Sequence, residues 1–477
     1  MAYTVTQNTS FLTAASVLQK VVSFFYFTLL ARAVGVENVG QYFFALTFTT
    51  IFSVVADFGL ANTLTREAAK FPEKSGTYAT TVFWSKIIFG FFAYALVIAA
   101  LQILKYPASL KLLIFLSGIT MFFDNLQTVF YSLLRARKNL FYEAIGMVGS
   151  QVLTLAIGGT ALYYHWPLYT LIIAYTVPSF CNLVYASLVV RRLQPAGLEH
   201  VFDSTIARSF LKLAWPIAVA GIVGRLYAYS DSLLMSKMVS STELGLWSVP
   251  YKTTFAFQFI PVALAASLYP VISSLFLTEP NKIGDLITKA YRYLFTIIFP
   301  LAIGLGVLAR PVIVAFYGIQ YTPAIPVLQI LLAGLVFIFL TLINGALFNA
   351  VGKQKTQTLL ITMALVFNVL LNLVLLPRLG IRGAALAALA SNLLLWLVGF
   401  IAIVKIISFP LSDLARFFNQ TFWPAVGMGG LVWFLEPRIH WLFTIPVAVV
   451  CYGALLFISG GISTAMLQEF RFKLRSK

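Results

Sequence analysis

LLARAVGVENVGQY, residues 29–42, is a short turn between two apolar runs, 10–32 and 40–63. Each run is long enough to cross a bilayer core as a helix, which takes about 20 residues. The turn recurs as LLMSKMVSSTELGLW (233–247). With a one-residue gap, the two leucines, a basic residue, an acid shortly before a glycine and an aromatic residue two places later coincide. A second pair keeps the same order: SLLRARKNLFYEAIG (132–146) and ALFNAVGKQKTQTLL (346–360). Six apolar runs separate the members of each pair. Six is even, so the halves share one orientation, a parallel repeat about an axis along the membrane normal. Parallel six-span lobes facing a central cavity are a transporter architecture.

Working outward from these turns gives fourteen runs. They are 10–32, 40–63, 81–104, 112–134, 143–164, 168–190, 210–236, 244–272, 290–316, 323–350, 356–377, 383–406, 413–435 and 441–466. The expected class is therefore an all-α polytopic membrane protein: two parallel six-helix lobes forming a V-shaped cavity, plus two extra C-terminal helices. The expected parts are 1–200, 201–410 and 411–477. Composition agrees. Of 477 residues, 60% are hydrophobic and 10% charged, against roughly 45–50% and 25% in soluble domains. The mean hydropathy is +0.91. So few charges cannot cover a soluble surface, and 43 Phe with 22 Tyr exclude disorder. Cys181 and Cys451 both sit in apolar runs, so no disulfide framework or cysteine metal cluster is expected. The opening MAYTVTQNTS lacks the basic region of a cleavable signal.

The net charge of +18 would suggest nucleic acid in a soluble protein. Here it sorts by side. The even connections and the tail carry 21 basic residues, the odd connections 8. The positive-inside rule makes the even side cytoplasmic, with both termini there, the turn at His165–Pro167 outside and no nucleic-acid partner. The tail contributes Arg471, Lys473, Arg475 and Lys477.

With edge residues counted to the connections, seven charges inside the runs stand out: Lys20, Asp57, Lys86, Asp124, Arg225, Asp231 and Lys252. Such charges cost about 2.5–3.5 kcal/mol on insertion scales and face a protein interior or water. Counting at about 1.5 Å per residue, Lys20, Asp124 and Arg225 fall near the midplane. Asp57 and Lys86 fall in the cytoplasmic third, Asp231 and Lys252 in the outer third. Two readings stand side by side. Asp57 with Lys86, Asp231 with Lys252, and Lys20 with Asp124 are matched in depth and can be neutral pairs that hold helices together. Arg225 has no acid left at its depth and suits a wet cavity that receives an anion. Four basic and three acidic groups leave the interior slightly cationic, fit for a phosphate-bearing substrate. Aromatics after Lys20 and Arg225 are read as packing ahead of sugar stacking. Span-interior amides such as Asn125, Asn344, Asn368 and Asn372 are read as interhelical contacts ahead of sugar ligands. No HExxH, GxSxG or GxxxxGK[ST] occurs. No catalytic residue, metal or cofactor is expected, and movement is assigned to an H+ or Na+ gradient, membrane potential or the substrate's own gradient.

FFYFTLLARAVGVENVGQYFFALTFTTIFSVVADFGLANTLTREAAK (24–70) resembles the opening of the polysaccharide transporter branch of the multidrug/oligosaccharidyl-lipid/polysaccharide exporter superfamily. Gly35, Gly40, Asp57-Phe58-Gly59-Leu60 and Arg66-Glu67 carry the likeness. SDSLLMSKMVSSTELGLWSVPYK (230–252), YTPAIPVLQILLAG (321–334), ALFNAVGKQKTQTLLI (346–361) and NVLLNLVLLPRLGIRGAALAALAS (368–391) resemble its later spans. The resemblance implies an O-antigen-type flippase, not an enzyme, in the plasma (inner) membrane. Such a protein turns polyprenyl-diphosphate-linked sugar units from one leaflet to the other by alternating access. The glycan serves O-antigen, capsule or exopolysaccharide, alongside a polysaccharide polymerase and a chain-length regulator. It also implies acids at Asp57 and Asp231 and a cationic lumen, for which Lys20 and Arg225 are the candidates, partly offset by Asp124. Lipid-II flippases resemble the chain less, since their arginines in the first two spans are missing. The alternative is an ion-coupled exporter of drugs or other small molecules on the same fold.

Overall fold

The computed structural model describes residues 5–193, 202–407, 409 and 411–461, with side chains from Phe11 onward. His200 and the basic tail lie outside the described residues. Among the described residues every regular element is helical. The long helices are α1 (Val5–Ala33), α2 (Val36–Asp57), α3 (Leu60–Lys70), α4 (Ser75–Ile103), α5 (Ala108–Ala136), α6 (Phe141–Tyr163), α7 (Leu168–Leu193), α8 (Ser204–Met238), α9 (Ser241–Phe257), α10 (Phe259–Thr278), α11 (Ile283–Val307), α12 (Ala309–Tyr317), α13 (Ile325–Ala350), α14 (Gln354–Val404), α15 (Leu411–Leu435) and α16 (Trp441–Ile458).

Several expected runs are broken helices. α2 and α3 form one run interrupted at Phe58 (φ 47°) and Gly59 (φ 74°). Glycine takes this left-handed backbone without a Cβ clash. Phe58 has that clash, offset by stacking on Phe89 at 5.1 Å. The gap is also filled from outside, because a Cβ on Gly59 would stand 3.0 Å from the Ala214 carbonyl of α8. The run 244–272 is likewise divided, into α9 and α10, and the run 290–316 into α11 and α12.

α14 has 51 residues, about 77 Å if straight, more than twice a roughly 30 Å hydrocarbon core. It reverses at Gly380 (φ 54°, ψ −141°). A Cβ on Gly383 would strike the Leu375 carbonyl, a contact a straight helix cannot make between residues about 12 Å apart. Among the described residues, twelve helical segments are long and apolar enough to cross a membrane. The expected fourteen thus stands at twelve by length and composition. α14 counts once while holding two of the expected runs, and α15 is not among the twelve.

The described chain forms two compact units, Met1–Ser248 and Val249–Lys477. In the first, α8 packs along α2, α3 and α4, although the repeat makes it the first helix of the second half. The first unit's core joins Leu60 and Leu64 of α3, Val82 of α4, Val129 and Leu133 of α5, Val190 of α7 and Phe210 of α8. Large apolar side chains such as Ile88, Phe91 and Phe92 remain exposed on α4, as lipid-facing residues do.

The duplication has a backbone signature. After α5, Arg137 N–H donates to Leu133 O, Lys138 N–H to Arg135 O and Asn139 N–H to Leu134 O, with Lys138 at φ 56°. After α13, the donors are Val351, Gly352 and Lys353 and the acceptors Leu347, Asn349 and Phe348, with Gly352 at φ 74°. Each residue of the second turn lies 214 positions after its counterpart. This is the left-handed helix stop that closes many α-helices. The first turn pair is related too. A Cβ on Gly40 would meet Ser241 O and Gly245 N, and one on Gly245 would meet Val36 O. Val36 and Ser241, like Gly40 and Gly245, are 205 positions apart, so the starts of α2 and α9 touch reciprocally.

Candidate functional site

Three helices of the first unit carry polar residues at helical spacing on otherwise apolar faces. On α2 these are Thr49, Ser53 and Asp57; on α5, Ser117, Thr120, Asp124 and Thr128; on α8, Gly221 and Arg225 follow Ile217. Residues three or four apart share one helix face, so each set forms a stripe. The stripes line one cavity of about 530 Å³, whose wall also includes Thr50, Gly59, Ala61, Asn62, Asn125, Arg135 and Tyr175. Along α5 the lining runs from Ser117 to Arg135, a rise of about 27 Å, close to the thickness of a hydrocarbon core.

Lys86 is fully buried behind this wall. Its Nζ stands 2.5 Å from Asp57 Oδ1 and donates to Asn125 Oδ1 (3.0 Å), Asn125 O (3.2 Å) and Thr128 Oγ1 (2.5 Å). The ammonium is therefore saturated. Asp57 Oδ1 also accepts from Ala61 N–H at 3.3 Å, tying the end of α2 to the start of α3. Arg135, at the cytoplasmic end of α5 in the predicted orientation, holds Glu143 with two nitrogens, Nε to Oε2 at 2.9 Å and Nη2 to Oε1. Glu143 is buried. Hydroxyls pair across helices: Thr49 with Ser117 at 2.6 Å and Thr120 with Thr176 at 2.7 Å.

Of the seven charges singled out in the sequence, the cavity brings together Asp57, Asp124 and Arg225, with Lys86 directly behind. Asp124 is exposed to the cavity and accepts from Gln127 Nε2 at 3.2 Å. Arg225 is exposed and makes no ion pair among the described residues. Lys20 is half-buried on α1, which packs mainly against α6, and does not line this cavity. Asp231 is buried on α8; Lys252 is half-buried on α9 and belongs to the second unit. Charge counting places Arg135 among the orientation charges, and neither it nor hydropathy reveals the hydroxyl stripes. The three-to-four spacing of Thr49, Ser53 and Asp57 was the available signal.

The chain belongs to the polysaccharide biosynthesis protein family, whose sequence model matches residues 5–276, more than half of its length. It is similar to a putative O-antigen transporter of Shigella flexneri, 22% identical over 386 residues, covering 77% of this chain and 91% of that protein. It is also similar to a probable flippase, AglR, of Haloferax volcanii, 28% identical over 170 residues, 35% of each chain. An uncharacterised membrane protein of Methanocaldococcus jannaschii is 22% identical over 45% of this chain and 43% of its own. The chain thus spans less than half the length of the last two relatives. Among solved structures, the lipid II flippase MurJ in an inward closed conformation superposes with a TM-score of 0.76 at 17% identity, covering 94% of this chain and 97% of MurJ. An inward-facing multidrug MATE transporter gives 0.69 at 15% identity, covering 83% and 96%. The fold is therefore the one these transporters share, and the protein is a multi-pass membrane protein.

Proposed function

We propose that this protein is a flippase that carries polyprenyl-diphosphate-linked oligosaccharides across the plasma membrane for envelope glycan assembly, by alternating access. O-antigen, capsule and exopolysaccharide are the candidate products, with both termini cytoplasmic. A polymerase and a chain-length regulator are the proposed partners. The observation that carries the reading is the polar cavity along α5, with Arg225 in its wall and in no ion pair among the described residues. A diphosphate cannot cross hydrocarbon unaided, because an isolated charge in an apolar medium costs many kcal/mol. A guanidinium and a ladder of hydroxyls replace part of its hydration and serve sugar hydroxyls beside it. Lys20 is retained as a second candidate for the anion, and Asp231 and Lys252 each as candidates for coupling to an H+ or Na+ gradient.

The test is export of surface glycan, or flipping of the lipid-linked sugar in proteoliposomes. Arg225→Ala should lower the rate about 10–100-fold, since hydrogen bonds to charged groups contribute about 1.5–3 kcal/mol. Arg225→Lys should retain more, because a point charge partly serves phosphate. Wild-type rates from well-inserted Arg225→Ala would end the reading. One observation favours the alternative, an ion-coupled exporter of drugs or other small molecules: Asp124, a carboxylate suited to a cation, is also open to the cavity. That reading predicts loss in Asp124→Asn with Arg225→Ala intact.

A further inference from the structure

The interruption between α2 and α3 leaves a helix start in the cavity wall. α3 runs for 11 residues from Leu60, and Gly59, Ala61 and Asn62 line the cavity. The first N–H groups of a helix have no partner within it. Here Ala61 N–H is taken by Asp57 Oδ1 and Thr63 N–H by Gly59 O. The N–H groups of Leu60 and Asn62 have no partner among the described residues. The Asn62 side chain is exposed in the same wall.

A second, independent observation points the same way. Asn125 is 6% exposed and lines the cavity. Its Oδ1 is taken by Lys86, while its Nδ2 has no hydrogen-bond partner among the described residues. A buried amide donor without a partner carries a desolvation cost. It is therefore a donor awaiting an acceptor. Around this spot the chain offers donors in excess, and the one carboxylate at the break, Asp57, is already balanced by Lys86 at 2.5 Å. Arg135 lies one turn further along α5 from Ser132, whose hydroxyl donates to Ala61 O at 3.0 Å. Its charge is balanced by Glu143, so the subsite relies on neutral donors.

We infer that the start of α3, with the Asn62 and Asn125 side chains, is an oxyanion subsite that receives a phosphate group of the cargo before that phosphate reaches Arg225. The inference rests on the anionic cargo proposed above and adds a second station to it. Gly59 packs against Ala214 and Ile217 of α8. Arg225 lies eight residues beyond Ile217, about 12 Å along that helix. The two sites therefore mark successive positions for one phosphate group along the cavity. Half-helix starts aimed at anionic groups are a known solution in membrane carriers, and neutral donors hold an oxyanion without the tight grip that would stall release.

The experiment uses the full chain in lipid nanodiscs, titrated with inorganic pyrophosphate by calorimetry. Asn62→Asp places a carboxylate in the first turn of α3, where it favours the helix but repels an anion. Asn125→Asp keeps the acceptor for Lys86 and removes the donor. Each should weaken pyrophosphate binding about tenfold or more, with the melting temperature of Asn62→Asp unchanged or raised. Arg225→Ala, measured in parallel, separates the two claims. If both Asp variants bind as wild type while Arg225→Ala does not, the subsite is refuted and the Arg225 reading stands. If the Asp variants lose binding and Arg225→Ala keeps it, the subsite stands and the role of Arg225 falls. No pyrophosphate binding by the wild-type protein overturns both.

Discussion

The turns after α5 and α13 share a backbone and differ in charge. In the first unit Arg135 grips Glu143; 214 positions later the same places hold Asn349 and Gln357. The contrast recurs one helix pair away. Short 3₁₀ turns at Pro72–Lys74 and Pro280–Lys282 introduce α4 and α11. The twelfth residue of α4 is the buried Lys86, and the twelfth of α11 is the equally buried Leu294. The second unit satisfies buried polar groups with neutral partners: Tyr291 with Asn344, Asn372 with Asn368, Thr253 with Tyr317. The scaffold is therefore indifferent to charge at these places. What the first unit adds, it adds beside the cavity.

That difference can be broken most forcefully at Lys86. Lys86→Leu makes α4 like α11 but leaves Asp57 without its cation. Breaking a buried pair from one side typically costs about 3–5 kcal/mol. Thermal unfolding in detergent should show a large drop for Lys86→Leu and substantial recovery when Asp57→Asn is added. Additive losses would mean that the pair does not couple. Loss of transport in a well-folded double variant would assign the charges to cargo handling.

The matching change at the turn is milder. Arg135→Asn alone strands the buried Glu143 carboxylate, whereas Arg135→Asn with Glu143→Gln installs the second unit's own solution. Arg135 is 40% exposed at its side chain, so solvent screens the pair and the single variant should lose about 1–2 kcal/mol. The double variant should fall within about 1 kcal/mol of wild type. Chemical denaturation of the two side by side measures this. Equal losses would show that the turn's stability depends on the guanidinium for packing.

How far the sequence carried this picture follows from what each signal encodes. Apolar runs located the helices because length and composition alone decide insertion. The turn at 132–146 revealed the duplication because its hydrogen bonds fix residue positions. The interruption at Phe58–Gly59 was hidden, since hydropathy is blind to two left-handed residues in an apolar run. The reversal at Gly380 was legible as a boundary only because Arg378 and Arg382 flank it. Counting residues gave depth and so matched Asp57 with Lys86. Depth does not give direction, which is why Lys20, at the same level as Arg225, is not in the wall of this cavity. Arg135 was assigned to a loop because a residue at a helix end looks the same whether it faces water or a cavity mouth.

The smallest expected effect lies in the turn itself. Lys138 and Gly352 occupy the same left-handed position, at φ 56° and 74°. A residue with a Cβ pays about 1–2 kcal/mol for that conformation, while glycine loses more freedom on folding. The two terms oppose each other and the steric one is larger. Lys138→Gly should therefore stabilise the first unit by about 0.5–1 kcal/mol, and Gly352→Lys should destabilise the second by a similar amount. Nothing stands within 4 Å of a Cβ built on Gly352, so the reverse change tests the backbone alone, free of a clash. Opposite shifts of similar size in thermal unfolding would establish that the two turns are energetically the same structure. A neutral Lys138→Gly beside a costly Gly352→Lys would show that the charge of Lys138 at the C-terminal end of α5 contributes a charge–dipole term that Gly352 lacks.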